Sequence, residues 1–154
     1  MQNSSIRYKI LLLIKQTHGY FRHAPKSEKY GLVLQIKNLE YELYCIVTEI
    51  LVTRSDRRKS LLHRLNVRHE LLRAMFALYR ELGFFHFQDG RNCKDTDPKT
   101  GDHRGTVVDS MVDEIGRMIG AWIAAERDET ARRIAARKAS AAADGLDADD
   151  PAGQ

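Results

Sequence analysis

Leu32, Ile36, Leu39, Leu43, Ile46 and Ile50 recur at steps of four, three, four, three and four. On an α-helix, which turns about 100° per residue, these steps hold all six side chains in one narrow stripe over about five turns. A strand cannot use such a pattern, because its side chains change face at every residue. The stripe predicts a long helix over residues 27–53, opened by Ser27 after the chain-breaking Pro25.

Three further segments repeat the period. Residues 6–20 place Ile6, Ile10, Leu13 and Ile14 on one face, with Ser4 and Ser5 as candidate caps. A third helix starts at Ser55 or Asp56, carries Leu61, Leu62, Leu65, Leu72, Met75, Phe76, Tyr79 and Leu82, and stops at Gly83. A fourth starts near Thr106 or Asp109 and lines up Val108, Met111, Val112, Ile115, Ile119, Trp122 and Ile123. No segment alternates with the period of two that a strand requires. The connections at Pro25 and Ser55 are short, which makes successive helices antiparallel neighbours.

The expected fold is therefore all-α: an antiparallel up-down four-helix bundle over residues 1–125, with a long polar loop at 86–105 between helices 3 and 4. The alanine-rich stretch 126–143 is expected to be a helical extension without a broad apolar face. The acidic residues 144–154 are expected to lack structure.

A chain of 154 residues, 43% hydrophobic and 30% charged, is large enough for one core and too apolar for a disordered protein. Its apolar runs, such as Ile10–Ile14, fall far short of the ~20 residues that cross a bilayer, and no export signature is expected at the N-terminus. No membrane partner and a cytoplasmic location are expected. Cys45 lies in an apolar periodic stretch and Cys93 in a polar loop, which does not suggest a disulfide framework.

Recognisable chemistry is sparse. Cys93, Asp95, Asp97 and His103 fit no familiar zinc spacing. "DTDPKTGD" resembles the start of a calcium loop, but its glycine is one place late and no glutamate closes the site. Asp113 and Glu114 diverge on a helix and form no catalytic pair, and neither a serine-nucleophile motif nor a phosphate-cradling glycine loop is present. The expectation is a non-enzyme with no metal and no cofactor.

Charge is informative. Residues 51–80 hold eight Lys or Arg against two acids, whereas residues 144–154 carry four aspartates and no base. Arg54, Arg57, Arg58 and Lys59 gather at the entry to helix 3. Arg57, Arg64 and Arg68 form a stripe on it, while Arg73 and Arg80 occupy the other flank of its apolar face. Arginine forks suit phosphate. No aromatics are interleaved on the exposed side, so contact should follow backbone and shape rather than bases. The competing reading is a solvated face whose arginines pair with Glu70 and Glu81.

Two features suggest contacts beyond one bundle. Leu34, Tyr41, Cys45 and Val52 fall on the side of helix 2 opposite its main stripe, which fits either a second subunit, a partner or an ordinary surface. In "DEIGRMIGAWI" (113–123), Gly116 and Gly120 each cost a helix about 1 kcal/mol relative to alanine. The two glycines are expected to leave a flat track for a neighbouring helix, with Trp122 filling space beside it.

"LLHRLNVRHELLR" (61–73), "LYRELGF" (78–84) and "MVDEIGRMIGAWI" (111–123) resemble the accessory variability determinant (Avd) proteins of diversity-generating retroelements and their wider four-helix-bundle family, which includes proteins encoded in intervening sequences of ribosomal RNA genes. "YKILLLI" (8–14) and "PKSEKYGLVLQIKN" (25–38) fit the same pattern, so the likeness covers about residues 6–123 without the loop.

The resemblance implies a pentameric, basic four-helix bundle that binds the retroelement's reverse transcriptase and contacts RNA or DNA in support of mutagenic cDNA synthesis. The polymerase carries the chemistry. By position, Arg64, Arg68 and Arg73 match the arginine-bearing part of helix 3, and Gly116, Arg117, Gly120 and Trp122 match the terminal motif. The chain departs from the pattern at Ala77 and His63, where arginines are common, and in its longer loop and C-terminal extension. The alternative is an interaction module of the intervening-sequence type with no polymerase partner.

Overall fold

The computed structural model describes residues 2–86 and 98–146, with side chains at all of these except 2–4, 55, 98 and 144–146. It is all-helical: α1 (Gln2–Phe21), a 3₁₀ turn (Lys26–Glu28), α2 (Leu32–Val52), α3 (Ser55–Glu81) and α4 (Pro98–Leu146), with no strand among the described residues. Four helices sharing apolar faces are consistent with a bundle. No described helix is long and apolar enough to cross a membrane. Contacts divide the chain into two compact units, Met1–Gly120 and Ala121–Gln154.

Helix boundaries differ from expectation where polar groups act in other ways. α1 already begins at Gln2, so Ser4 and Ser5 lie inside it rather than capping it. Ser27 falls in the 3₁₀ turn, and α2 starts only at Leu32, whose backbone N–H donates to Glu28 Oε2 at 3.3 Å. A carboxylate at a helix N-terminus is favoured by the free N–H groups and the helix dipole. Gly31 admits it: a Cβ there would lie 3.0 Å from that same oxygen.

α3 ends as its sequence implies. Gly83 adopts φ +75°, its N–H donates to Arg80 O at 2.9 Å, and Phe84 N–H donates to Tyr79 O at 3.2 Å. These two bonds form a Schellman motif, and the apolar contact that accompanies such a motif is present as an edge-on pair of the Tyr79 and Phe84 rings at 5.3 Å. The loop expected at 86–105 is shorter, because α4 is helical from Pro98; residues 87–97 lie outside the described residues.

Within the first unit, each helix touches at least two others, and the Phe21 and Tyr79 rings meet edge-on between α1 and α3. Thr17 of α1 bonds Glu40 of α2, and Glu42 of α2 pairs with Arg64 and Arg68 of α3. His69, Arg73 and Arg80 of α3 bond Val112, Asp113 and Asp109 of α4, and Lys9 of α1 pairs with Glu114 of α4. Ile10, Leu13, Ile36, Leu43, Leu65, Leu72, Val108 and Ile119 are fully enclosed.

The α2 core face is rotated from the expected stripe. Val33, Ile36, Glu40, Leu43, Val47 and Ile50 are buried with Ile46, whereas Leu32 and Leu39 are only half-buried. Positions 33, 36, 40, 43, 47 and 50 step by three and four like a heptad seam. A glutamate within that seam hides it from a reading of apolar residues.

In the second unit, α4 continues to Leu146, three residues into the stretch expected to lack structure; residues 147–154 lie outside the described residues. Trp122 is buried, residues 127–143 are exposed throughout, and Glu129 and Arg133 form an ion pair one turn apart.

Candidate nucleic-acid interface

The eight basic residues of the segment 51–80 separate into three groups. At the corner, α2 ends at Val52 and α3 begins at Ser55, with Thr53 and Arg54 both in extended conformation. Arg58 Nε donates to Thr53 O at 3.1 Å and so ties the corner together. Arg54, Arg57 and Lys59 are exposed, and among the described residues they have no ion-pair partner. Only Asp56 opposes them in the first turn of α3, whose free N–H groups add partial positive charge at the same end.

In the middle of α3, two arginines converge on one acid. Arg64 Nη2 and Arg68 Nε lie 2.8 and 3.1 Å from the same oxygen, Glu42 Oε1. One carboxylate cannot neutralise two guanidiniums, so a full positive charge remains. Both arginine side chains are well over one-third exposed, and ion pairs in such settings contribute only about 0–1 kcal/mol. A phosphate can therefore compete for them at small cost.

The far half is different, because Arg73 and Arg80, also expected at the binding surface, each hold a carboxylate of α4. Arg73 Nη1 pairs with Asp113 Oδ1 at 2.5 Å, with Glu70 at 3.6 Å, and Arg80 pairs with Asp109. These arginines belong to the contact between α3 and α4. Between the two ion pairs lies a groove of about 250 Å³, lined by Arg73, Phe76, Ala77, Asp109, Val112 and Asp113. Neither acid named in the solvated-face reading is the main partner: Glu70 reaches only Arg73 and His69, and the neutralising carboxylates come from α2 and α4.

Glycines of α4 make that contact possible. A Cβ at Gly101 would overlap the His86 ring at 2.2 Å, one at Gly105 would sit 3.1 Å from Arg80 Nε, and one at Gly116 would sit 2.7 Å from His69 Cε1. Polar side chains of α3, and His86 just beyond it, thus lie directly on the α4 backbone. Of the two glycines expected to leave a flat track, only Gly116 lies against another helix of the same chain. Gly120 is exposed, and a Cβ there meets nothing within 4 Å.

Four buried polar residues, Thr17, Glu40, His69 and Arg104, were missed in the sequence. His69 is fully enclosed, with Nε2 2.8 Å from Val112 O. Glu40 is 1% exposed and receives the Thr17 hydroxyl at 2.7 Å. Burial lifts its carboxyl from 4.5 to about 7, against the smaller opposing effects of Thr17 and Lys37. The heptad position of residue 40 was the available signal for burial. Burial also raises the Tyr79 phenol above its ordinary value.

Of the residues weighed as metal ligands, Cys93, Asp95 and Asp97 lie outside the described residues and His103 is exposed. Among the described residues, no three His, Cys, Asp or Glu side chains are grouped as a metal site would require. Compared with known proteins, the chain matches no family model, no curated protein and no solved structure.

Proposed function

We propose that the chain is a non-catalytic adaptor that binds polyanionic nucleic acid through the corner between α2 and α3. In this reading it serves a diversity-generating retroelement in the manner of the Avd proteins it resembles, binding RNA or DNA together with the reverse transcriptase in the cytoplasm. The observation that carries the reading is the set of exposed cations at Arg54, Arg57 and Lys59, supplemented by the surplus charge of Arg64 and Arg68 on Glu42. Arg73 and Arg80 serve the fold.

The bundle is proposed to be antiparallel and up-down. Thr17 with Glu40 and Phe21 with Lys37 pair α1 and α2 in opposite order along the two helices. Arg58 with Thr53 and Arg64 with Glu42 do so for α2 and α3, as do His69 with Val112 and Arg80 with Asp109 for α3 and α4. A homo-oligomer, a pentamer by the family likeness, is supported by the outer side of α2, where Leu34, Tyr41, Cys45 and Val52 are all exposed.

Fluorescence anisotropy with a structured RNA tests the central part. Arg57→Glu combined with Lys59→Glu is expected to weaken binding at least tenfold with an unchanged helical spectrum, and Arg73→Ala to change it less than twofold. Equal effects of the two variants, or none from the first, would refute the assignment. A second reading, an interaction module without a polymerase, is favoured by the internal pairing of Arg73 and Arg80. It predicts self-association without RNA affinity.

A further inference from the structure

We infer that Glu40 is a protonation latch between α1 and α2, holding α1 down while its carboxyl is neutral and loosening α1 when it ionises. The geometry is a buried acid with one hydroxyl for company. Thr17 Oγ1 lies 2.7 Å from Glu40 Oε1, 3.0 Å from Leu13 O and 3.3 Å from Ile14 O, yet the hydroxyl has a single proton. With Glu40 neutral, the acid donates to Thr17 and Thr17 donates to Leu13, so each proton has an acceptor. With Glu40 ionised, the one hydroxyl proton must serve both the carboxylate and the Leu13 carbonyl.

Only the Thr17 hydroxyl and Lys37 offset the charge, and by less than burial costs it. The buried residues on this part of α1 are Leu13, Thr17 and Phe21, none of them charged, and His18 beside Thr17 is exposed. On α2 the cation one turn away, Lys37, lies over the Phe21 ring with its Nζ 5.8 Å from the centroid. From α3 the buried ionisable groups are His69 and Tyr79, and from α4 Arg104; His69 bonds Val112 O and Arg104 Nη1 donates to Phe85 O at 3.0 Å. An unpaired carboxylate in such a site favours any motion that readmits water.

The direction with pH follows from linkage. The carboxyl holds its proton to about pH 7 when α1 is docked and to about 4.5 when it is free. Stability is therefore full below pH 4.5, falls as pH rises towards 7, and levels off above it. Lowering pH re-engages the latch.

Carboxyl-carbon NMR of ¹³C-glutamate-labelled protein reads the proton directly, with Glu40→Gln identifying the resonance. A midpoint near 7 is expected for Glu40, and a midpoint near 4.5 would overturn the inference. Amide-exchange protection factors over residues 10–17 read the motion. Between pH 5 and 8 they are expected to fall about 70-fold in the wild type and to stay level in Glu40→Gln. Parallel profiles in the two proteins would also overturn it. Should Glu40→Gln not fold, Thr17→Val identifies the resonance by displacing it, and the wild-type midpoint decides.

Discussion

The His69 ring of α3 lies directly on Gly116 of α4: a Cβ at 116 would sit 2.7 Å from His69 Cε1 and 3.0 Å from Arg73 Nη2. The ring cannot swing aside freely, because it is fully buried and its Nε2 is bonded to Val112 O. Gly116→Ala is accordingly expected to destabilise the fold by about 1–3 kcal/mol through overpacking, despite the better helix propensity of alanine. Urea unfolding followed by circular dichroism measures this, and an unchanged or raised midpoint would contradict the packing described.

Gly120 should behave in the opposite sense. It is exposed and has open space around its Cα, so Gly120→Ala is expected to raise stability by up to about 1 kcal/mol. Size-exclusion chromatography of the bulkier Gly120→Leu variant adds a separate reading: loss of an oligomer with intact folding would place Gly120 at a contact between copies.

Gly83 stops α3 by adopting φ +75°, a conformation in which an L side chain is strained. Gly83→Ala is expected to cost about 1–2 kcal/mol. The loss should be seen as a lower thermal midpoint without any change in helix content below it. A neutral result would mean that the turn relaxes into another conformation.

Much of the fold was legible because helical periodicity survives in a single chain: the stop at Gly83 and the start at Ser55 follow from local chemistry. What stayed hidden depends on partners far away in sequence. Glu40 looks like a surface residue until its place at 33, 36, 40, 43, 47 and 50 is seen, and Gly116 looks like a helix defect until His69 is laid on it. The candidate site was legible as charge but not as accessible charge. Composition counts Arg73 and Arg80 equally with Arg57, whereas Asp113 and Asp109 approach the first two only in three dimensions.

The Arg80–Asp109 and Arg73–Asp113 pairs have side chains 38–50% exposed, so their contribution is expected to be small. Double-mutant cycles with alanine at each pair should give coupling energies of about 0.2–1 kcal/mol, reduced at high salt. Couplings of several kcal/mol would mean that the contact between α3 and α4 is far drier than its exposure implies.

The most direct measurement of the central claim is the salt dependence of RNA affinity. For a polyanion held by the corner, the logarithm of the binding constant should fall linearly with the logarithm of salt concentration. Arg54→Ala, Arg57→Ala and Lys59→Ala should each reduce that slope by about 1, and Arg73→Ala and Arg80→Ala should leave it unchanged. A slope near zero, or one that responds to Arg73 and Arg80 instead of the corner, would contradict it.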